Sequence, residues 1–137
     1  MHDIKAIRDN PEAFDRGLAR RGLAPISQQI LALDSERRDH VQKLQDSQAR
    51  RNAASKETGE AMKAGDKARA ERLKAEVGSI KDFITAGEET ERELDRGLTE
   101  MLAAIPNIPL DDVPDGKDEH GNVEVRRWGA PPTWNFE

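Results

Sequence analysis

No proline occurs between residues 26 and 105, and this long gap limits most strongly the folds that the chain can adopt. The stretch is rich in Gln, Arg, Ala, Glu and Lys, which favour helix, and Gly65 and Asp66 interrupt it near its middle. Gly65 can take the left-handed backbone of a turn, and Asp66 can cap the helix that follows. The sequence therefore predicts long helices at about 27–63 and 66–105, and their short connection requires them to pack antiparallel.

The second long run has the spacing of a coiled coil. Its repeating positions step by four and three residues, and eight of the ten are apolar: Leu73, Val77, Ile80, Ile84, Gly87, Glu91, Leu94, Leu98, Met101 and Ile105. The matching register of the first run is largely polar: Arg37, Val41, Leu44, Gln48, Arg51, Ser55, Thr58 and Met62, with Ile30 and Leu33 offset before it. We expect the apolar base of the hairpin where Ile30 and Leu33 meet Leu94, Leu98, Met101 and Leu102.

Shorter helices are predicted before the hairpin. Asp3 can cap a helix that ends near Asn10, and Asn10 can cap another that begins at Pro11. Ser27 is predicted to cap the first long helix in the same way. Prolines in the last part of the chain predict a tail, with strand-like alternation only at 122–126. The predicted fold class is all-α: a long antiparallel two-helix coiled-coil hairpin with a small N-terminal helical pair and an extended Pro-rich C-terminal tail.

Motifs that carry chemistry are scarce. There is no cysteine, so disulfides, thiolate catalysis and cysteine–zinc sites are excluded. The histidines, His2, His40 and His120, are far apart, and the glycines form neither GxGxxG nor GxxxxGK[ST], so no catalytic, metal or cofactor-binding residue is predicted. No secretory leader and no apolar run of about eighteen residues occurs, so we expect a cytoplasmic protein without a membrane partner.

Charge is distributed unevenly, although the net charge is −5. Residues 48–72 hold seven basic and four acidic groups, whereas residues 73–137 hold seven and fifteen. A basic segment interleaved with amides and hydroxyls suits the phosphates and sugar hydroxyls of RNA. A solvated helix face would have a similar composition, so composition alone leaves both interpretations open.

Several strings follow one another along the chain: Asp3-Ile4-Lys5, Ile7-Arg8-Asp9-Asn10-Pro11-Glu12, Arg20-Arg21-Gly22, Leu33-Asp34 with Arg37-Arg38, and Arg51-Asn52 with Ser55-Lys56 and Gly59. The tail adds Ile105-Pro106-Asn107-Ile108-Pro109, Val113-Pro114, Gly116-Lys117-Asp118-Glu119 and Asn122-Val123-Glu124-Val125-Arg126-Arg127-Trp128-Gly129. Their order and spacing resemble bacterial-type seryl-tRNA synthetases over essentially the whole chain. His2 and the small, Ala-rich tip depart from the family's pattern.

The resemblance implies that residues 1–105 are the N-terminal tRNA-binding arm and that 106–137 are a linker to a catalytic domain outside this chain. In the family the arm reaches the long variable arm and the elbow of serine tRNA, while a class II domain attaches serine using ATP and Mg. We therefore expect this fragment alone to be inactive and to hold no cofactor, and the parent enzyme to be a homodimer mainly through the catalytic domain. The final segment, Trp134-Asn135-Phe136-Glu137, has aromatics with no domain to pack them, which fits a truncated chain.

The predicted tRNA-binding residues are Gln48, Arg51, Asn52, Ser55 and Lys56 on the first long helix, with Arg69 and Arg72 on the second. Arg51 is also predicted to lie in the seam, so a packing role and an RNA role compete there. The alternative function is a coiled-coil protein-interaction or spacer module, for which two helices would suffice. The irregular tail favours the tRNA interpretation.

Overall fold

The chain forms a long helical hairpin with two short helices packed at one end. The computed structural model describes residues 2–116 and 118–134, so Lys117 and the predicted role of residues 135–137 lie outside the described part. The helices are α1 (Ile4–Asp9), α2 (Pro11–Ala19), α3 (Ser27–Lys63) and α4 (Lys67–Ala104), and a single 3-10 turn covers Glu119–Gly121. The predicted all-α class, the helical pair and the antiparallel hairpin are confirmed.

The tip of the hairpin, residues 61–70, has the predicted turn chemistry. Gly65 has a φ of +76°, a left-handed conformation that glycine adopts without strain. The side chain of Asp66 accepts a hydrogen bond from the Arg69 amide at 2.9 Å and so caps α4. Asp3 and Asn10 cap α1 and α2 in the same manner.

The cap of α3 differs from the prediction. Ser27 is the first helical residue and not the N-cap, and Ile26 at the cap position has no side chain able to accept a hydrogen bond. Asp15, on α2, supplies the cap instead: its carboxylate accepts from the amides of Ile26 and Ser27 at 3.0 Å and from the Ser27 hydroxyl at 2.5 Å. A residue twelve positions away thus does what the local sequence pattern assigned to Ser27.

The main hydrophobic core lies at the base of the hairpin, where α3 begins and α4 ends. Its buried members come from all four helices: Ile7, Phe14, Leu18, Ile30, Leu98 and Leu102. Each such side chain contributes about 1.5–3 kcal/mol when it is buried. Arg8 pairs with the buried Asp34 at 2.8 Å, which also fixes α1 to α3. The predicted apolar base is confirmed for Ile30, Leu33, Leu98, Met101 and Leu102, and the short helices complete it. Leu94 is half-buried outside this cluster.

The seam of α3 follows a different register from the predicted one beyond Leu44. Gln48, Ser55 and Met62, predicted to face α4, are exposed. Ser47, Ala54 and Ala61 take these places, and Ala54 and Ala61 are buried against Ala70 and Leu73. The predicted register steps four residues from Leu44 to Gln48, whereas the observed seam steps three residues to Ser47. The methyl groups of Ala54 and Ala61 fill the seam.

The tail is fixed to the base of the hairpin by the end of α2. Arg20 donates to the carboxylate of Asp115 at 2.7 Å and to the carbonyls of Leu110, at 3.1 Å, and Val113. Arg21 donates to the carbonyl of Asn107 at 2.9 Å. Residues 122–126, predicted to be strand-like, have no regular secondary structure, and neither they nor any other described residue belongs to a sheet.

None of the helices within 2–116 and 118–134 combines the length and apolar character needed to cross a bilayer.

Candidate nucleic-acid interface

The predicted RNA-binding residues all lie in the half of the hairpin nearer its tip. Gln48, Asn52, Ser55 and Lys56 on α3 are exposed, and Arg51 is half-buried. Arg69 and Arg72 on α4 are exposed. The side chains are accessible, but they do not all share one face.

One side of the hairpin carries a connected set of ion pairs, which we call the ion-paired flank. Arg50 of α3 contacts Glu76 of α4 at 2.6 Å and Glu57 at 2.9 Å. Arg69 lies 3.7 Å from the same Glu57. Hydrogen bonds to Glu76, and then to Glu57, raise the pKa of Arg50 above its ordinary value. Arg50 and Arg69 are therefore paired with carboxylates within the molecule.

The opposite side is defined by a shallow depression lined by Ser55 and Thr58 of α3 and by Lys74 and Val77 of α4. Gln48 precedes Ser55 by seven residues, so it lies on the same face of the helix. We call this side the amide flank: α3 positions 41, 45, 48, 52, 55, 59 and 62, together with α4 positions 67, 71, 74, 78 and 81.

The structure thus divides the predicted set. Gln48, Asn52 and Ser55 lie on the amide flank, with Lys56 beside them on the outer surface of α3. Arg69 contacts the ion-paired flank, and Arg72, three residues later, lies on the same side. A count of charges along the chain, combined with a shifted register for α3, does not separate these two sets.

Arg51 lies at the edge of the seam, between packing and solvent. Its guanidinium donates to the Asn52 side-chain oxygen at 3.4 Å, and it forms no ion pair with any described residue. The half-buried aliphatic stem packs while the charged group remains available. Both predicted roles are compatible with this position.

Groups that could support metal or acid–base chemistry do not converge. Within the part of the chain that the structure describes, no three His, Asp or Glu side chains are grouped closely enough to hold a metal ion. His40 is hydrogen-bonded through Nε2 to the carbonyl of Gly87 at 2.8 Å, within the seam. It has a packing role in the hairpin.

Together, the fold and these side chains define a projecting coiled-coil arm that presents amide, hydroxyl and basic groups near its tip. This chain belongs to the seryl-tRNA synthetase N-terminal domain family, whose sequence model matches residues 1–109.

Individual relatives agree with this assignment. Serine–tRNA ligases of Brucella canis and Brucella suis are each 58% identical over 137 residues, which is 100% of this chain and 32% of theirs. The chain therefore spans about a third of the length of these relatives. The seryl-tRNA synthetase of Pyrococcus horikoshii, solved in complex with ATP, superposes with a TM-score of 0.83 at 35% identity. That match covers 94% of this chain and 29% of the Pyrococcus horikoshii chain.

Proposed function

We propose that this chain is the tRNA-binding arm of a serine–tRNA ligase and that it recognises the long variable arm and elbow of serine tRNA. The family match over residues 1–109 carries the proposal. The geometry supports it: at 1.5 Å per residue, the 37 residues of α3 extend about 55 Å. An arm of this length can contact a stem that lies well away from the base of the hairpin.

Recognition would depend on RNA shape. The major groove of duplex RNA is too deep and narrow for side chains to read, whereas phosphates and 2′-hydroxyls are accessible. Gln48, Asn52 and Ser55 can hydrogen-bond with hydroxyls, and cations such as Arg51 and Lys56 can contact phosphates. Arg69 and Arg72 also belong to the set predicted from sequence, but they lie on the opposite flank. Selection of the tRNA would then depend on whether a long variable stem occupies the place that the arm reaches.

Attachment of serine would belong to the longer protein. We propose that a catalytic domain outside this chain binds ATP, Mg and serine, and that it forms the homodimer of a cytoplasmic enzyme. The Pyrococcus horikoshii relative was solved in complex with ATP, and this chain matches 29% of its length. The domain boundary proposed near residue 105 follows the end of α4 at Ala104, after which the prolines of the linker begin.

The direct test is a titration of the full 137-residue chain with serine tRNA and with the same tRNA lacking its variable arm. We expect the intact tRNA to bind more tightly, because the truncated one lacks the stem that the arm contacts. Fluorescence anisotropy at two salt concentrations measures both affinities. About four phosphate contacts predict a slope of log K against log salt near −3.

Equal binding of the two tRNAs would contradict recognition of the variable arm. Absence of binding even at low salt would contradict the tRNA-binding role of the isolated arm and favour the protein-interaction or spacer alternative.

A further inference from the structure

The acidic residues of α3 are restricted to part of its circumference. Between residues 36 and 63 they are Glu36, Asp39, Asp46, Glu57 and Glu60. None occupies an amide-flank position, since those positions hold Val41, Gln45, Gln48, Asn52, Ser55, Gly59 and Met62. A polyanion approaching from this side therefore meets hydrogen-bonding groups of α3, and Glu71 of α4 is the one carboxylate among the amide-flank positions.

The amide flank of α4 adds lysines at seven-residue intervals. Lys67, Lys74 and Lys81 share one face of the helix because the coiled-coil repeat is seven residues. Lys74 pairs with Glu71 at 2.8 Å, whereas Lys67 and Lys81 form no ion pair with any residue that the structure describes. Lys81 does not belong to the predicted set of tRNA-binding residues. Its charge remains available to a partner.

Gly78 lies between these lysines on the same flank. An added Cβ at Gly78 would meet no atom within 4 Å, so packing inside the molecule does not require glycine there. A glycine in a helix interior costs about 1 kcal/mol relative to alanine. The absence of a side chain at Gly78 also leaves a gap on the surface of α4 between the side chains of Lys74 and Lys81. A bulky partner can come close to the helix there.

The ion-paired flank has the opposite character. Two of its basic groups, Arg50 and Arg69, are already held by Glu57 and Glu76, whereas Lys43 and Arg72 on this side form no ion pair with a described residue. Contact with a phosphate there would compete with these pairs and bring carboxylates close to the phosphate charge.

From this asymmetry we infer that the RNA backbone lies along the amide flank, with Lys81 as a phosphate contact, and that the flank of Arg69 faces away from the RNA. The inference rests on the proposed tRNA-binding function and specifies which side of the hairpin performs it. It assigns a role to Lys81 and removes Arg69 and Arg72 from the contact surface.

The chain provides a matched pair of lysines for the test. The contact between Arg50 and Glu76 aligns the helices so that Lys43 of α3 and Lys81 of α4 lie at nearly the same distance from the tip. Lys43 precedes Arg50 by seven residues and therefore lies on the ion-paired flank. Both lysines are exposed, and neither forms an ion pair with a described residue.

We expect Lys81→Gln to weaken binding of serine tRNA about threefold, the size of effect that an exposed charge pair has. It should also reduce the magnitude of the salt slope by about 1, as the loss of one phosphate contact requires. Lys43→Gln removes the same charge and should change neither quantity beyond the small effect of net charge. Fluorescence anisotropy with the full chain, at two salt concentrations, measures both.

A steric pair tests the same surface independently of charge. Gly78→Leu adds bulk to the amide flank, whereas Ser79→Leu adds it to the neighbouring position on the ion-paired flank. We expect a loss of affinity only for Gly78→Leu, although circular dichroism should show that both variants keep their helices.

If the two variants of each pair lost affinity equally, or if Lys43→Gln and Ser79→Leu lost more, the inference that RNA contacts the amide flank would be wrong. The proposal that the chain binds tRNA would still stand. If the unmodified chain does not bind serine tRNA, the proposed function fails and this inference fails with it.

Discussion

Replacement of Ile30 by alanine should lower the free energy of unfolding by about 3 kcal/mol, the largest change that we expect from one substitution in this chain. Ile30 is 0% exposed and packs where residues of all four helices meet. The truncated side chain would leave a cavity that these helices cannot easily close. Urea denaturation followed by far-ultraviolet circular dichroism measures the loss.

Ile80→Ala is the matched control for this prediction. Ile80 is half-buried in the seam of α4 and lies away from the base, so the same chemical change should cost about 1 kcal/mol. Similar costs at the two positions would show that stability is spread evenly along the hairpin and would contradict a dominant core at its base.

Replacement of Asp15 by alanine should cost about 2 kcal/mol, near the upper end of measured losses of helix caps. The substitution removes the acceptor for both the Ile26 and Ser27 amides and for the Ser27 hydroxyl. Because Asp15 lies on α2, the loss should also loosen the attachment of the short helices to α3. The same denaturation experiment measures the cost, and Asp9→Ala, an exposed carboxylate at the end of α1, is the control.

Lowering the pH should cause part of the same loss of stability in the unmodified chain, because it protonates Asp15. Partial burial acts to raise the pKa of Asp15, but the hydrogen bonds from Ser27 and Ile26 outweigh it and lower the pKa below its ordinary value of 3.8. Since the pKa is lower in the folded state, the stabilisation is present above pH 3.8 and is lost as the pH falls below it. Asp15→Asn should lack this component of acid sensitivity. An identical acid dependence in the variant would contradict the assignment.

Local signals gave correct predictions where the interactions themselves are local. The cap at Asp66, the left-handed turn at Gly65 and the caps at Asp3 and Asn10 each involve neighbours within a few residues. The cap of α3 could not be predicted in this way, because Asp15 reaches it only through the packing of α2. Ser27 matched the pattern of a cap while serving as a donor to one.

The candidate site was predictable in composition and not in arrangement. A count along the chain identifies the basic segment at residues 48–72, but it assigns Arg50 and Arg69 the same availability as Lys56. Arg50 and Arg69 differ from Lys56 because they form ion pairs across the hairpin, with Glu76 and Glu57 respectively. The seam register was also misleading, since Ala54 and Ala61 carry little apolar signal in a sequence yet are buried.

The attachment of the tail by Arg20 and Arg21 affects the direction in which the helical hairpin points. A rigid rod about 55 Å long that tilts by about 5° at its base moves its far end by about 5 Å, more than the length of a hydrogen bond. The helices cannot correct this displacement, because the tilt originates at the base of the hairpin. The direction of the hairpin is therefore set at its base. There the guanidinium groups of Arg20 and Arg21 hold the carbonyls of Leu110, Val113 and Asn107 against the end of α2.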